Sequence, residues 1–327
     1  MYVTPDVEAR IRGAMGIFIS TLSGLAFETI PFLLLGTLLS AAIQSFVPDR
    51  AIRRAFPKNR YLSILVALGL GVLMPICECA TVPLAKRLRE KGLPLSTAVA
   101  FLLAAPLVNP MTIASTYVAF NGTGHAVFLQ RLGLGLVASF TVAAVVELFS
   151  RRSGALDKIA LSPLAGLVGS QSFPATPLLF QETKAQAAGL GTRIIDMFEH
   201  ASYDFLDMAR YLIAGISIAA LARACIPASA LIKYLGAPAI ATGAGLGSAY
   251  VLSLCSSADA FVGRSLFAPI SYNALLGFLV LGPMLDLKNT ILLARFVKPR
   301  LLFRFVILVA LVVGILVFAV TPLMEAL

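Results

Sequence analysis

The segment MPICECATVP, residues 74–83, sets Cys77, Glu78 and Cys79 between Pro75 and Pro83, inside one of the most apolar stretches of the chain. On an intact helix, side chains two positions apart point in different directions. In an extended turn, two thiolates at that spacing converge on one soft ion or electrophile. Thiolates favour soft partners such as Cu(I), Zn(II) or trivalent arsenic, so Cys77 and Cys79 form a candidate metal or metalloid site. Glu78 between them is a candidate proton acceptor, because desolvation makes a carboxylate hold its proton more tightly. The plainer reading is that a buried cysteine is a small apolar residue that packs well. For Cys77 and Cys79 the flanking prolines and the acid weigh against it. Cys255 could supply a third sulfur or simply pack, and Cys225, alone on an ordinary helix, reads as packing.

Other polar residues stand out against the apolar background. Intramembrane carboxylates are costly and usually functional, which singles out Asp259 and Asp286. In GPMLDLKNT, Asp286 and Lys288 are close enough to neutralise each other. In AAPLVNPM, Pro106 and Pro110 flank Asn109, whose amide can both donate and accept. These residues, with Glu78 and the cysteines, are the candidate substrate-binding set; the alternative for each is a structural ion pair or hydrogen bond between helices. Glu28 and Asp207 read as structural carboxylates near helix starts, favoured by the positive dipole end. Glu147 reads as a structural residue that snorkels to the interface. His125 and His200 fall far from the cysteines, so a Cys/His metal cage has little support. The four cysteines include no CxxC, which argues against a thioredoxin-like motif, a zinc ribbon or a disulfide framework. No bound cofactor is expected.

The elements that must carry these residues are membrane helices. Hydrophobic residues make up 59% of the 327 and charged residues 13%; the mean hydropathy is +0.91. Soluble domains are less apolar and carry about twice the charge. Apolar segments run over about 14–46, 61–85, 94–119, 126–149, 206–227, 237–266, 271–294 and 301–323. The expectation is an all-α polytopic membrane protein in a lipid bilayer, without a cleavable signal peptide. The net charge of +10 sits in short loops between apolar runs, where it sets topology; no nucleic-acid partner is implied. Residues 151–205 begin with a mixed stretch rich in Gly, Pro, Ala and Ser, read as a cytoplasmic linker between membrane units at 1–150 and 206–327.

The two units resemble each other. Glu28, Gly36 and Pro48 recur as Asp207, Gly215 and Pro227 at equal intervals. GLGVLMPICECATVP matches GLGSAYVLSLCSSAD, which puts Cys79 on Cys255, and NPM at 109–111 parallels GPM at 282–284. Basic loops at 47–60 and 86–93 should both be cytoplasmic. Segment 61–85 then enters and leaves on one side as a re-entrant hairpin, broken at its prolines. Each half has three crossings plus one broken hairpin, and the halves insert with opposite orientation, as in inverted-repeat carriers. The competing arrangement has eight full crossings and parallel repeats.

MPICECATVPLAKRLREKGLPLSTAVAFLLAAPLVNPMTIAST together with LSLCSSADAFVGRSL and LGFLVLGPMLDLKNTILL resembles the DUF318/UPF0718 bacterial permease family, whose best-understood branch resembles organoarsenical efflux permeases. The similarity covers nearly the whole chain except the linker. It implies an inner-membrane permease of two related halves and makes Cys77, Glu78, Cys79, Asn109, Cys255, Asp259, Asp286 and Lys288 signature positions. Ala80 departs from the glycine expected after the second cysteine. The resulting expectation is secondary-active efflux of a soft, thiol-reactive solute or metal species, by a carrier and not an enzyme, in the bacterial inner membrane. The alternative is a membrane thiol–disulfide electron carrier using Cys79 and Cys255. Cargo is a small molecule or ion; assembly as a homo-oligomer is left open.

Overall fold

The computed structural model describes residues 5–46, 54–57, 59–73, 78–120, 124–153, 190–225, 238–256, 258–268 and 270–325. Among these the regular structure is all α-helical. The first half contributes α1 (Pro5–Phe46), α2 (Arg60–Leu73), α3 (Glu78–Glu90), α4 (Leu95–Val108), α5 (Pro110–Ala119) and α6 (Gly124–Ser153). The second contributes α7 (Leu190–Cys225), α8 (Pro238–Leu252), α9 (Asp259–Leu266), α10 (Tyr272–Met284), α11 (Leu287–Ala294) and α12 (Pro299–Glu325). One order therefore occurs twice: a long helix, two short helices, an interrupted helix, a long helix. The end of the expected linker, 190–205, is helical and opens α7, while 154–189 lie outside the described residues.

Six stretches are long and apolar enough to cross a bilayer, three in each half: Arg12–Phe46, Leu95–Ala119, Ala126–Arg151, Ile194–Ala224, Tyr272–Ala294 and Pro299–Val320. The other two expected segments, 61–85 and 237–266, resolve into short helices: α2 and α3 have 14 and 13 residues, α8 and α9 15 and 8. None of these reaches the length of one crossing.

The inner helices are the interrupted ones. In Tyr272–Ala294, 83% of the apolar window is buried by protein, against 22% in Pro299–Val320. Helices α4 and α10 are built largely of Ala, Leu, Gly, Phe and Val and meet each other across the two halves. Apolar solvent gives no drive for helix association, so close packing of small residues must supply it. The outer helices α1, α7 and α12 present Phe27, Leu206, Ile213, Phe303 and Ile315 on their exposed faces, as lipid-facing helices require. Helix α1 packs along α7, α3 lies on α1 and α4, and α11 lies on α7.

Two expectations about helix breaks change. Pro83 lies inside α3 and does not end it; its missing N–H withdraws only the bond to the Cys79 carbonyl. Pro106 and Pro283 likewise lie inside α4 and α10, and the chain leaves the helix about one turn later, at Asn109 and at Leu285–Asp286. Pro106 and Asn109 thus stand in the same local order as Pro283 and Asp286. Glu28 and Asp207 sit in the middle of α1 and α7, not at helix starts.

Candidate functional site

Helix α11 opens on its own side-chain cap. Asp286 has extended backbone (φ −132°, ψ 178°), and its Oδ1 accepts a hydrogen bond from the Asn289 backbone N–H at 2.7 Å. A carboxylate at this position satisfies an N–H that the helix itself cannot pair. The second residue of the helix, Lys288, folds its side chain back. Its Nζ donates to Asp286 Oδ2 at 2.5 Å, to Glu78 Oε1 at 2.8 Å and to the Ser253 carbonyl at 3.3 Å. An ammonium has three N–H groups, and all three are directed at oxygens. Lys288 and Asp286 are fully buried, and Glu78 is 2% exposed.

Each member comes from a place where regular structure starts or stops. Glu78 is the first residue of α3, and Asp286 caps α11. Ser253 follows α8 in the left-handed region (φ 47°), the only non-glycine residue with positive φ among the described residues. Its hydroxyl turns back to donate to the Tyr250 carbonyl at 3.1 Å. Such a conformation costs about 1–3 kcal/mol and persists where surroundings over-determine it; here it aims a carbonyl at Lys288. Helix α7 closes the other side at Gly215, where an added Cβ would lie 3.2 Å from the Lys288 backbone. The expected Asp286–Lys288 pair is thus present, with Glu78 from the opposite half as a third member.

A second buried pair stands nearby. Arg131 of α6 donates through Nη2 to Asp259 Oδ2 at 2.6 Å and through Nη1 to Thr116 Oγ1 at 2.6 Å. Asp259 is the first residue of α9, and its carboxylate is 2% exposed. Like Glu78, it opens a short helix and is held by a cation from the opposite half. Glu78 and Asp259 are close enough to repel each other electrostatically. Among the described residues, Glu78 Oε2, Asp259 Oδ1 and Arg131 Nε are buried without a hydrogen-bond partner.

The remaining predicted residues fall as follows. Cys79 and Cys255 are buried and in no disulfide, and Lys288 lies within electrostatic reach of Cys79. The Cys255 carbonyl accepts from the backbone N–H groups of Ala258 and Asp259, each at 3.0 Å, and so starts α9. Cys77 lies outside the described residues, and with it the two-sulfur arrangement. Asn109 is buried and caps α5, its Oδ1 accepting from the Met111 N–H at 2.9 Å. Among the described residues no group of three His, Cys, Asp or Glu side chains could hold a metal ion. Ala80 packs against Gly36 of α1. Glu147 does not snorkel: it is 1% exposed, bound to Arg151 Nε at 2.8 Å, Ser96 Oγ at 2.8 Å and Arg60 Nη1 at 3.1 Å.

Reading the chain alone passes over Arg131 and Ser253. The signal for Arg131 was available: it is a lone arginine in the apolar run VFLQRLGLGLV, and a charge within a spanning segment marks a functional or paired site. Nothing in residue type marks Ser253, whose role comes from its backbone.

Six apolar helices around a joint of buried charges mark a multi-pass membrane protein. The chain belongs to the family described as predicted permeases, also called UPF0718, which matches residues 14–321. It is 36% identical over 297 residues to the UPF0718 protein YcgR of Bacillus subtilis, covering 91% of this chain and 93% of that one. It is 31% identical over 326 residues to a Streptococcus mutans protein carrying the name of a two-component membrane permease complex subunit, covering 97% and 100%. The UPF0718 protein YraQ of Escherichia coli is 28% identical over 120 residues, 36% of this chain and 34% of that one. No solved structure matches.

Proposed function

We propose that the chain is a secondary-active carrier of the bacterial inner membrane, not an enzyme, with two halves inserted in opposite orientations. One observation carries the proposal: Lys288 of the second half holds Glu78 of the first, both fully desolvated, where two interrupted elements meet. With one ammonium between two carboxylates, the triad has an excess negative charge when all three are ionised. One bound proton neutralises it, and an uncompensated buried charge is expensive. Proton uptake at the triad and cargo release then become alternatives for the same site.

The pairing of helix ends supports the inverted arrangement. Arg60 at the start of α2 is tied to Glu147 near the end of α6, and Arg87 near the end of α3 is tied to Asp204, in the half of α7 nearer its start. The end of α6 and the start of α7 adjoin the same connecting stretch, 154–189, so both ends of the α2–α3 hairpin lie on that side. Arg264 near the end of α9 donates to the Ala119 carbonyl at the end of α5, and Tyr272 at the start of α10 donates to Gln130 near the start of α6. Those ends share the opposite side, which supports the division into units 1–150 and 206–327 joined by 151–205.

For the cargo we keep the soft, thiol-reactive class, on the strength of two buried thiols near the triad. The electron-carrier alternative receives no support from a family of permeases. The test is a deletion strain challenged with trivalent arsenicals, copper and zinc, followed by efflux from inverted vesicles for whichever solute becomes toxic. Glu78→Gln should abolish proton-driven movement, and Cys77→Ser or Cys79→Ser should weaken transport of the soft solute. Full efflux by all three variants would end the reading. By the name of the Streptococcus mutans relative, a second membrane subunit belongs to the proposal; native electrophoresis of the tagged chain separates it from a homo-oligomer.

A further inference from the structure

Helix α7 and the end of α11 share a cluster of charges. Asp207 of α7 holds two arginines through its two oxygens: Oδ1 accepts from Arg210 Nη2, and Oδ2 accepts from Arg295 Nε at 3.3 Å. Both guanidinium groups also lie over the Tyr211 ring, 5.3 and 5.8 Å from its centroid, within the range of a cation–π contact. One carboxylate cannot neutralise two guanidiniums, so the cluster keeps one positive charge in excess. Among the described residues, Arg210 Nη1 and both Nη nitrogens of Arg295 donate to no protein group. The Arg210 side chain is 62% exposed, so an anion can reach it from outside.

The level of the cluster follows from the spanning stretches. Tyr272–Ala294 ends at the residue before Arg295, which puts Arg295 at a membrane surface. The stretch Ile194–Ala224 of α7 has 31 residues, about half as many again as one crossing needs. Arg210 therefore lies at the same surface as Arg295, although it falls inside that stretch. A tyrosine between them suits that level. Ile213 stands three residues beyond Arg210, on the same side of α7, and is exposed, as contact with an acyl chain requires.

We propose that Arg210, Tyr211 and Arg295 form a site for the phosphate of an anionic phospholipid. Guanidiniums bind phosphate oxygens through paired N–H bonds and stack on aromatic rings. At the edge of the hydrocarbon the anion at hand is lipid phosphate. A zwitterionic headgroup brings its own ammonium, whereas the one excess charge here calls for a headgroup with a net negative charge. The bound lipid joins α7 to α11. Helix α11 has 8 residues, a length of about 12 Å. Its first turn carries Lys288, against which Gly215 of α7 packs. The headgroup thus holds the same two helices together at the end away from the buried triad.

Lipid titration of the purified full chain in a mild neutral detergent tests the site without any cargo. Phosphatidylglycerol should raise the unfolding temperature and stay bound in native mass spectra, and phosphatidylcholine at equal concentration should do neither. Arg210→Gln, at an exposed position that leaves the Asp207–Arg295 pair in place, should weaken the apparent affinity for phosphatidylglycerol about fivefold or more. Asp207→Asn, which frees both guanidiniums, should strengthen it. Arg300→Gln, which removes the same charge from the nearby start of α12, should leave it unchanged. Equal responses to the two lipids would overturn the proposal, as would undiminished affinity in Arg210→Gln or an equal loss in Arg300→Gln. Weakening by Asp207→Asn as well would show that the cluster only holds the helices together, and would overturn it too. So would full protection by glycerol phosphate or inorganic phosphate at the same concentration, since the site would then take a soluble anion. None of these readouts requires transport: binding as expected in a chain that moves no solute would uphold the lipid site and end only the carrier reading.

Discussion

All three N–H groups of Lys288 meet oxygens from separate segments: the Asp286 cap, the Glu78 carboxylate and the Ser253 carbonyl. Removing the ammonium alone would leave two buried carboxylates facing each other. Breaking a buried ion pair on one side costs about 3–5 kcal/mol. Lys288→Met should therefore lower thermal stability in detergent by about that much. The triple variant Glu78→Gln, Lys288→Met, Asp286→Asn should recover most of the loss, because it leaves no charge behind. Arg131→Met should behave likewise and be relieved by Asp259→Asn, as followed by the unfolding temperature of each variant; equal losses in the single and double variants would contradict the pairing. At this scale the sequence revealed one of the two ion pairs of the triad. Asp286 and Lys288 stand two positions apart, so their pairing is a local matter. Glu78 is 210 residues away from Lys288, and no periodicity within either helix announces that contact.

Helix ends, more than helix faces, place the functional groups. Asn109 ends one helix and caps the next, and Asp286 caps its helix directly after Leu285 has ended the previous one, each about a turn beyond an internal proline. A proline takes away one N–H bond, but the helix continues until a side chain offers its first turn an alternative partner. That is why expecting the breaks at the prolines themselves misplaced them by a few residues. Asn109→Ala should cost about 1 kcal/mol, the usual loss of a cap, measured by chemical denaturation in mild detergent. A bulkier change at the close approaches should cost more. Gly215→Leu would drive a side chain into the backbone of Lys288, and the protein should be lost from the membrane fraction, while Gly215→Ala should be retained at reduced stability. Retention of Gly215→Leu at parental levels would refute the close packing of α7 on α11.

Across the whole molecule, composition alone announced a polytopic helical protein, and hydropathy located six of the spanning stretches. What it could not supply was the mutual position of the halves. That depends on cross-half pairs such as Arg87–Asp204 and Arg131–Asp259, whose members lie 117 and 128 residues apart in the chain. The central claim is that the two halves are joined through one buried charged unit at Glu78 and Lys288. A double-mutant cycle on the full chain tests it most directly, with unfolding free energies measured for the parent, Glu78→Gln, Lys288→Met and the combination. Contacting residues couple by about 0.5–3 kcal/mol, and sites without shared partners add to within about 0.5 kcal/mol. The predicted result is a coupling of about 2 kcal/mol, with the double variant more stable than Lys288→Met alone. Additive losses would contradict the joint.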